Sequence, residues 1–190
     1  MEVALSWPYC LAQGSERDLD LVARCQAGCA EAFGVLLNRY RERVLNLAFQ
    51  LLRDREEAED VAQEALIKAL TGIHKFRGEA QFFTWLYRIT VNLCLGRQRR
   101  RRDELLKSDP ESQAEPPVVT QLMVESVLES LSEPLRVALT LRELHQLTYE
   151  EIADVLRIPV GTVRSRLHEA RKAFRRKWLD ADKKAASTGA

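Results

Sequence analysis

Apolar residues recur at intervals of three and four along most of the chain, which is the period of an α-helix that buries one face. From Phe33 onward the first such stripe consists of Phe33, Leu37, Tyr40, Val44, Leu47 and Leu51. No segment shows a sustained alternation of apolar and polar residues, as a half-buried strand would. The pattern therefore predicts an all-α fold whose first long element is a core helix.

Two more helices are predicted before residue 103. Asp54 followed by Glu57 has the form of a capping box and indicates a new helix start. Its inward residues are predicted to be Ala58, Val61, Ala62, Ala65, Leu66 and Ala69. A loop that contains Gly78 then separates this helix from a third, whose apolar stripe is Phe82, Leu86, Ile89 and Leu93.

Between residues 103 and 120 the helical period disappears. Asp109-Pro110 and Glu115-Pro116-Pro117 lie there among polar residues. We expect this segment to be a flexible linker between two helical domains, with residues 1–17 as an N-terminal extension and 179–190 as a frayed C-terminal tail.

The second domain contains the pattern of a helix-turn-helix. Ser132 ahead of Glu133 and Pro134 marks a helix start, and this helix is predicted to continue to about Leu144. Thr148 and Glu151 form a further capping box that opens a short helix. Residues 157–161 make a tight connection, and a basic helix is predicted from about Thr162 to Trp178.

The formal net charge of +1 conceals strongly opposed segments. Residues 54–64 are acidic, whereas residues 97–102 and 157–177 are basic, which indicates one protein partner and one polyanionic partner. The N-terminus lacks the elements of a secretory signal, and no apolar run approaches 18 residues. We expect a soluble, cytoplasmic protein without membrane insertion.

Four cysteines, Cys10, Cys25, Cys29 and Cys94, form no CxxC pair, so we interpret them as small apolar residues rather than as disulfides. Cys25 and Cys29 would share a helix face, which leaves a redox or metal role open. The chain contains no phosphate-binding glycine loop, HExxH or GxSxG motif. We expect no cofactor, no metal and no enzymatic activity.

The last predicted helix has one apolar face and one basic face. Arg164, Ser165 and His168 are placed to reach base edges in a major groove, and Arg171 and Arg175 to reach phosphates. The alternative is a basic face that is only solvated and binds nothing, but the capped helix and turn before it favour DNA binding.

A second DNA-binding segment is predicted at the end of the first domain. The arginines of 97–102 exceed what the helix dipole requires, so we expect phosphate contacts. Upstream, Phe82, Phe83, Trp85 and Tyr87 could stack on unpaired bases, although aromatic residues at helical spacing are more often core. The carboxylates of Asp60 and Glu64 lie beyond the first helical turn and favour a protein-binding surface, with carboxylate metal binding as the weaker alternative.

These motifs resemble, in order and on both sides of the linker, the sigma-E type of extracytoplasmic-function (ECF) sigma factors of the sigma-70 family. The resemblance spans about residues 18–177. It is carried by Asp60-Val61-Ala62-Gln63-Glu64-Ala65, Phe76-Arg77-Gly78, Thr84-Trp85-Leu86-Tyr87-Arg88-Ile89, Asn92, Leu141-Arg142-Glu143-Leu144, Tyr149-Glu150-Glu151-Ile152-Ala153 and Gly161-Thr162-Val163-Arg164-Ser165-Arg166.

The resemblance implies two domains with separate tasks in transcription initiation. Residues 18–102 would form the region 2 domain, which binds core RNA polymerase and opens the −10 element, and residues 121–178 the region 4 domain, which binds the −35 element and the polymerase flap. It further implies control by an anti-sigma factor, with the chain monomeric when free or held in a heterocomplex. The alternatives are a free-standing helix-turn-helix regulator that acts without polymerase, and a small-molecule-sensing or enzymatic helical domain fused to a DNA reader.

The expected site residues form three groups. Those for the −10 element are Phe76, Arg77, Gly78, Glu79, Ala80, Gln81, Arg88, Asn92, Arg99 and Arg100. Those for the −35 element are Thr162, Arg164, Ser165, His168, Arg171 and Arg175. Those for polymerase are Glu57, Asp60, Gln63 and Glu64.

Overall fold

The computed structural model describes residues 17–105 and 121–188, and within those ranges every regular element is helical. The predicted all-α class is therefore confirmed. The α-helices are α1 (Asp18–Gln26), α2 (Ala30–Leu52), α3 (Arg55–Gly72), α4 (Phe82–Leu105), α5 (Gln121–Glu129), α6 (Glu133–Glu143), α7 (Tyr149–Leu156) and α8 (Val160–Thr188), with a 3-10 helix at Ile73–Lys75. Cys10, residues 1–16 of the expected N-terminal extension, and 106–120 of the expected linker lie outside the described residues.

The chain divides into two compact units between Cys94 and Leu95, inside α4. In the first unit α1, α2 and α3 pack around one apolar core. The predicted stripe of α2 is buried at Tyr40, Val44, Leu47 and Leu51, whereas Leu37 is only half-buried. The inward face of α3 consists mainly of alanine, which brings this helix close to α2.

The start of α3 agrees with the sequence prediction. Asp54 precedes the helix with extended backbone, and its side chain accepts a hydrogen bond from the Glu57 amide at 3.1 Å. This bond satisfies one of the amides that lack a partner at a helix N-terminus. The acidic segment that follows Asp54 is therefore helical from Arg55 onward.

The second unit contains the predicted helix-turn-helix. Thr148 and Glu151 form both hydrogen bonds of the capping box, at 3.2 and 2.7 Å, and open α7. Arg157 ends α7 in the left-handed conformation with φ 53°, and the Ile158 amide donates to the Ala153 carbonyl at 3.1 Å. The chain thereby reverses within a few residues and enters α8.

Three predicted boundaries were wrong. α4 continues through Asp103 and Glu104 to Leu105, so the first three residues of the expected linker are helical. α8 begins at Val160 rather than Thr162, and it extends to Thr188 instead of ending near Trp178. Both C-terminal extensions consist of residues that tolerate a helix, and neither contains the glycine or proline that would end one.

Candidate nucleic-acid and protein interfaces

Helix α8 buries one face and exposes the basic one. Val163, Leu167 and Ala170 are buried, while Arg164, Ser165 and His168 are exposed. The Thr162 and Val163 amides donate to the Pro159 carbonyl at 2.9 and 3.1 Å, which holds the first turn in place. Three predicted base-reading side chains therefore lie exposed within the first three turns of α8.

The exposed face of α8 continues beyond the predicted residues. Ser165 Oγ donates to the Thr162 carbonyl at 3.0 Å, so its lone pairs remain available to a donor from outside. Lys172 and Arg176 are exposed and follow Ser165 at helical spacing, with Arg175 beside them. The sequence prediction missed Lys172 and Arg176, although their spacing from Ser165 was a sufficient signal.

Arg171 has a protein partner. Its Nε and Nη2 donate to Glu143 Oε1 at 3.1 and 2.8 Å. Hydrogen bonding to Glu143 and, second to it, to Tyr149 raises the pKa of Arg171. Arg171 therefore connects α8 to α6, and its expected role in phosphate binding stays a prediction.

The outward face of α4 carries the predicted basic and amide groups. Asn92 and Arg99 are exposed and Arg88 is half-buried, and all three lie on one side of the helix at intervals of four and seven residues. Arg100 is exposed on an adjoining side. An amide with a donor and an acceptor thus lies between guanidinium groups, an arrangement that suits a nucleic-acid base flanked by phosphates.

The loop before α4 presents most of its predicted residues. Arg77, Gly78, Glu79 and Gln81 are exposed and Ala80 is half-buried, with Gly78 in a left-handed conformation at φ 73°. Phe76 is buried, and its ring packs against Phe82 and Trp85 at centroid distances of 5.9 and 5.4 Å. The expected DNA contact by the Phe76 ring is thus not available, and Phe76 instead secures one end of the loop.

The aromatic residues of α4 are mostly core. Phe82 and Tyr87 are buried, which confirms the core role that their spacing favoured and excludes the alternative that their rings stack on bases. Phe83 and Trp85 keep part of their surface exposed. The guanidinium of Arg43 covers Phe83 and Tyr87, both at 5.7 Å from the ring centroid. The spacing of the aromatic residues already favoured a core role, and α4 packs them against α2.

The outward face of α3 changes from acidic to apolar along the helix. Asp60 and Gln63 are exposed, and Glu64 pairs with Lys68 at 2.9 Å. Ile67 and Leu70 follow on the same side, with 53% and 46% of their surface exposed. Glu57 is half-buried at the edge. Sequence reasoning missed Ile67 and Leu70, although large apolar residues outside an alanine-rich inward stripe were a usable signal.

Each unit also has a surface groove that the sequence did not predict. A groove of about 730 Å³ lies between α2 and α3, with Leu37, Leu45 and Leu66 in its lining. A groove of about 420 Å³ in the second unit is lined by Val124, Leu128, Leu139, Thr140, Glu143, Leu144, Arg171 and Phe174. The groove of the second unit is mainly apolar, whereas the groove between α2 and α3 is also lined by charged residues, among them Arg41, Glu42 and Glu59. Both are suited to side chains of another protein.

The described cysteines differ in burial. Burial raises the pKa of the Cys94 thiol to about 12, and burial together with the nearby Cys29 raises that of Cys25 to about 11. Cys29 is half-buried, and its thiol donates to Glu31 at 3.4 Å. Within residues 17–105 and 121–188 no group of three or more potential ligands is arranged to hold a metal. No helix in this part of the chain is long and apolar enough to cross a bilayer.

Comparison with known protein families assigns both halves of the chain to the sigma-70 family. Residues 36–104 match the model for sigma-70 region 2, and residues 121–174 match that for sigma-70 region 4. The chain is 41% identical over 178 residues to the RNA polymerase sigma-H factor of Pseudomonas aeruginosa, covering 84% of this chain and 92% of that protein. It is 40% identical over 177 residues to the ECF RNA polymerase sigma-E factor of Escherichia coli K12, covering 83% and 92%.

The solved structures that are similar to this one include two complexes. CnrH in complex with the cytosolic domain of CnrY has a TM-score of 0.70 at 26% identity, covering 88% of this chain and 99% of that one. The sigma factor RpoE in complex with the anti-sigma factor NepR from Bartonella quintana has a TM-score of 0.68 at 26% identity, covering 80% and 99%.

Proposed function

This chain belongs to the extracytoplasmic-function sigma factors of the sigma-70 family, and from that premise we propose how its two units divide the work of promoter recognition. As a sigma factor it binds core RNA polymerase and directs promoter-specific initiation of transcription. The observation that carries this function is the similarity to curated sigma factors over more than four-fifths of the chain. A free-standing helix-turn-helix regulator would need only the second unit.

We propose domain bounds that are supported by, but wider than, the matches to sigma-70 region 2 over residues 36–104 and region 4 over residues 121–174. Residues 18–102 act as the region 2 domain and residues 121–178 as the region 4 domain, with 103–120 between them. The role of each is one of binding, and we assign no catalytic step to this chain. It acts in the cytoplasm, where transcription takes place, as a monomer or in a complex with a partner.

The region 4 domain reads the −35 element through α8. Arg164, Ser165 and His168 approach base edges because they are exposed beside the N-terminus of the second helix of the motif. Arg175 contacts phosphates, and we add Lys172 and Arg176 to this role. Arg171 supports α8 through Glu143 instead.

The region 2 domain captures the −10 element with the loop 77–81 and the outward face of α4. Asn92 provides a donor and an acceptor for one base, and Arg88, Arg99 and Arg100 neutralise nearby phosphates. This arrangement allows the protein to bind a base after it has left the duplex, so the binding energy favours the open state.

Core polymerase binds the outward face of α3. Asp60, Gln63 and Glu64 supply polar contacts at its acidic end, and Ile67 and Leu70 supply apolar area at the other. An exposed apolar pair beside charged groups has the composition of an interface core with a polar rim. The groove of the second unit receives the polymerase flap.

An anti-sigma factor controls access to these surfaces. Support comes from the two solved complexes described above, in which RpoE is bound to the anti-sigma factor NepR and CnrH to the cytosolic domain of CnrY. Each match covers at least 80% of this chain. A protein that covers the outward face of α3 would prevent polymerase from binding there. Inhibition thus requires no change in the fold.

Reconstitution of the purified chain with core RNA polymerase tests the function. We expect transcripts from one class of promoter that start at one site and need the chain. Core enzyme alone and core enzyme with a chain that lacks residues 18–102 serve as controls. Operator binding by the second unit without any promoter-specific transcript would favour the free-standing regulator.

A further inference from the structure

Helix α1 lies against the segment that leads into the −10 loop. Gln26, its last residue, donates from one Nε2 atom to the carbonyl oxygens of Ile73 and Phe76, both at 2.9 Å. Ile73 is the first residue of the 3-10 helix, and Phe76 is the residue before Arg77. An amide 47 and 50 positions away in sequence therefore connects α1 with the beginning of the loop.

The position of Gln26 is itself well defined. The C-terminus of α1 is closed by hydrogen bonds from the Gly28 amide to the Cys25 carbonyl and from the Cys29 amide to the Arg24 carbonyl, each at 3.0 Å. Gly28 adopts φ 92°, as the left-handed residue of such a helix end requires. At the other end of α1, Asp18 accepts hydrogen bonds from the Tyr40 hydroxyl and the Arg39 guanidinium of α2.

The same helix approaches the loop at a second point. A Cβ atom on Gly78 would lie 3.9 Å from Leu19 Cδ2, so Leu19 borders the turn of the loop although 57% of its own surface is exposed. Phe76 is buried just before the exposed residues 77–79. The loop thus has a fixed entry and a side chain of α1 next to its tip.

We propose that Gln26 is a positioning residue for promoter opening, which holds the loop 77–81 in the conformation that receives an extruded base. This inference rests on the proposed role of the loop at the −10 element. A loop that is held in place before DNA arrives loses less conformational freedom on binding, so more of the contact energy remains to stabilise the open duplex. The residue acts through the loop and does not itself touch the base.

The test compares three variants in polymerase holoenzyme. Gln26→Glu keeps the shape but replaces the donor by a carboxylate that faces two carbonyl oxygens. Gln26→Lys restores donors with similar reach. Ala23→Glu, which adds the same negative charge at an exposed residue of the same helix, is the matched control.

We expect Gln26→Glu to slow open-complex formation on duplex promoters about 10-fold, the order that two neutral hydrogen bonds represent. On templates whose −10 region is already unpaired the effect should be smaller, and affinity for core polymerase should stay within about 2-fold, because α3 is not touched. Gln26→Lys should recover most of the rate, and Ala23→Glu should match the parent chain. Amide hydrogen exchange at residues 76–81 should accelerate in Gln26→Glu alone.

Two results with Gln26→Glu would overturn the inference while leaving the proposed function in place. If Gln26→Glu opens duplex promoters at the parent rate, the amide does not position the loop. If it lowers core binding, thermal stability and opening in parallel, and Lys gives no recovery, the residue is merely structural. The double variant Arg77→Ala/Gln81→Ala separates this from a failure of the proposed function. Should that variant also open duplex promoters normally, the loop is not a −10 contact, and both the assignment and the inference fail.

Discussion

Arg171 and Glu143 join α8 to α6 through two hydrogen bonds to a single carboxylate oxygen, at 3.1 and 2.8 Å. About half of each side chain remains exposed, 49% for Arg171 and 50% for Glu143. Water therefore screens the pair, and its coupling energy should be in the range of about 0.2 to 1 kcal/mol. A double-mutant cycle with Arg171→Ala and Glu143→Ala, followed by urea denaturation, measures it.

The same pair predicts different salt dependences for two arginines of α8. Arg175→Ala should reduce the slope of log affinity against log salt by about 1, because one phosphate contact is lost. Arg171→Ala should change the slope less, since its charge is already paired. Titration of −35 duplex DNA at several salt concentrations distinguishes them, and equal changes in slope would contradict the assignment of Arg171 to α6.

Base reading by α8 is expected to depend on Arg164. Arg164→Ala should weaken binding of the preferred −35 sequence by about 1 to 3 kcal/mol and relax preference at one base pair. Arg175→Ala should weaken binding to all sequences alike. Binding to a set of single-base variants of the −35 element provides the measurement. A uniform loss in both variants would show that Arg164 contacts only the backbone.

The outward face of α3 should determine assembly with polymerase. Reversing both Asp60 and Glu64 to Lys should abolish holoenzyme formation, because two attractive contacts would become repulsive. Glu150→Lys with Asp154→Lys makes the same change of charge on α7, at exposed residues four positions apart, and serves as the control. Fluorescence anisotropy measures the affinity of each variant for core polymerase, and circular dichroism verifies that each variant is folded.

Ile67→Ala and Leu70→Ala separate apolar contact from charge on this surface. Their exposure means that stability should change little, whereas core affinity should fall about 10-fold if they occupy the centre of the interface. Normal core binding by both variants would confine the interface to the acidic end of α3.

The buried thiols predict a loss of stability at alkaline pH. The pKa values of Cys25 and Cys94 are raised to about 11 and about 12, whereas an unfolded thiol has a pKa of about 8.5. Below that pH both states keep the proton, so the free energy of unfolding is unaffected. Above it the unfolded chain releases protons that the folded chain retains, and stability falls until the raised pKa values are passed.

Each such thiol can lower the free energy of unfolding by at most about 1.4 kcal/mol per pH unit in that window. Urea denaturation at pH 8, 9 and 10 should therefore show a steeper decline for the parent chain than for Cys94→Ala, whatever the absolute stability of that variant. Parallel curves would mean that Cys94 ionises as easily in the folded chain as in the unfolded one.

Local sequence patterns were sufficient to predict the helices but not the contacts between them. The stripe of α2 and the capping box at Thr148 and Glu151 are properties of short segments, so their period and spacing were enough to predict them. The pairing of Arg171 with Glu143 spans 28 residues and has no local signal. On α8 alone Arg171 was indistinguishable from Arg175, and only the position of α6 separates their roles.

The loop before α4 shows the same division. Gly78 indicated a turn, and the turn is present, but Phe76 at its entry is buried where a DNA contact was expected. Whether an aromatic ring at a loop boundary faces solvent or core depends on the rings opposite, here Phe82 and Trp85. The hydrogen bonds of the Gln26 amide likewise could not be predicted from the sequence, because they depend on how α1 packs against the 3-10 helix.

Asn92 provides the most direct test of strand opening. It is exposed on the outward face of α4 beside half-buried Arg88, in a helix interior where asparagine is less favourable than alanine. A solely structural account would therefore expect Asn92→Ala to stabilise α4 slightly and to leave transcription intact. A pocket for an unpaired base predicts the opposite, because the amide's donor and acceptor would be lost to the base edge.

We expect Asn92→Ala to lower transcription from duplex promoters far more than from templates with an unpaired −10 region, since on the latter the cost of extruding the base is already met. Some defect should remain on both, because the direct contact is also lost on the unpaired template. Arg99→Ala, which removes a phosphate contact on the same face, should instead weaken both templates by a similar factor. Single-round transcription on the two templates, at matched holoenzyme occupancy, measures the ratio. Wild-type activity of Asn92→Ala on duplex promoters would reject the pocket, and an equal loss on both templates would reduce Asn92 to an ordinary contact, because only a residue that acts on the extruded base discriminates between them.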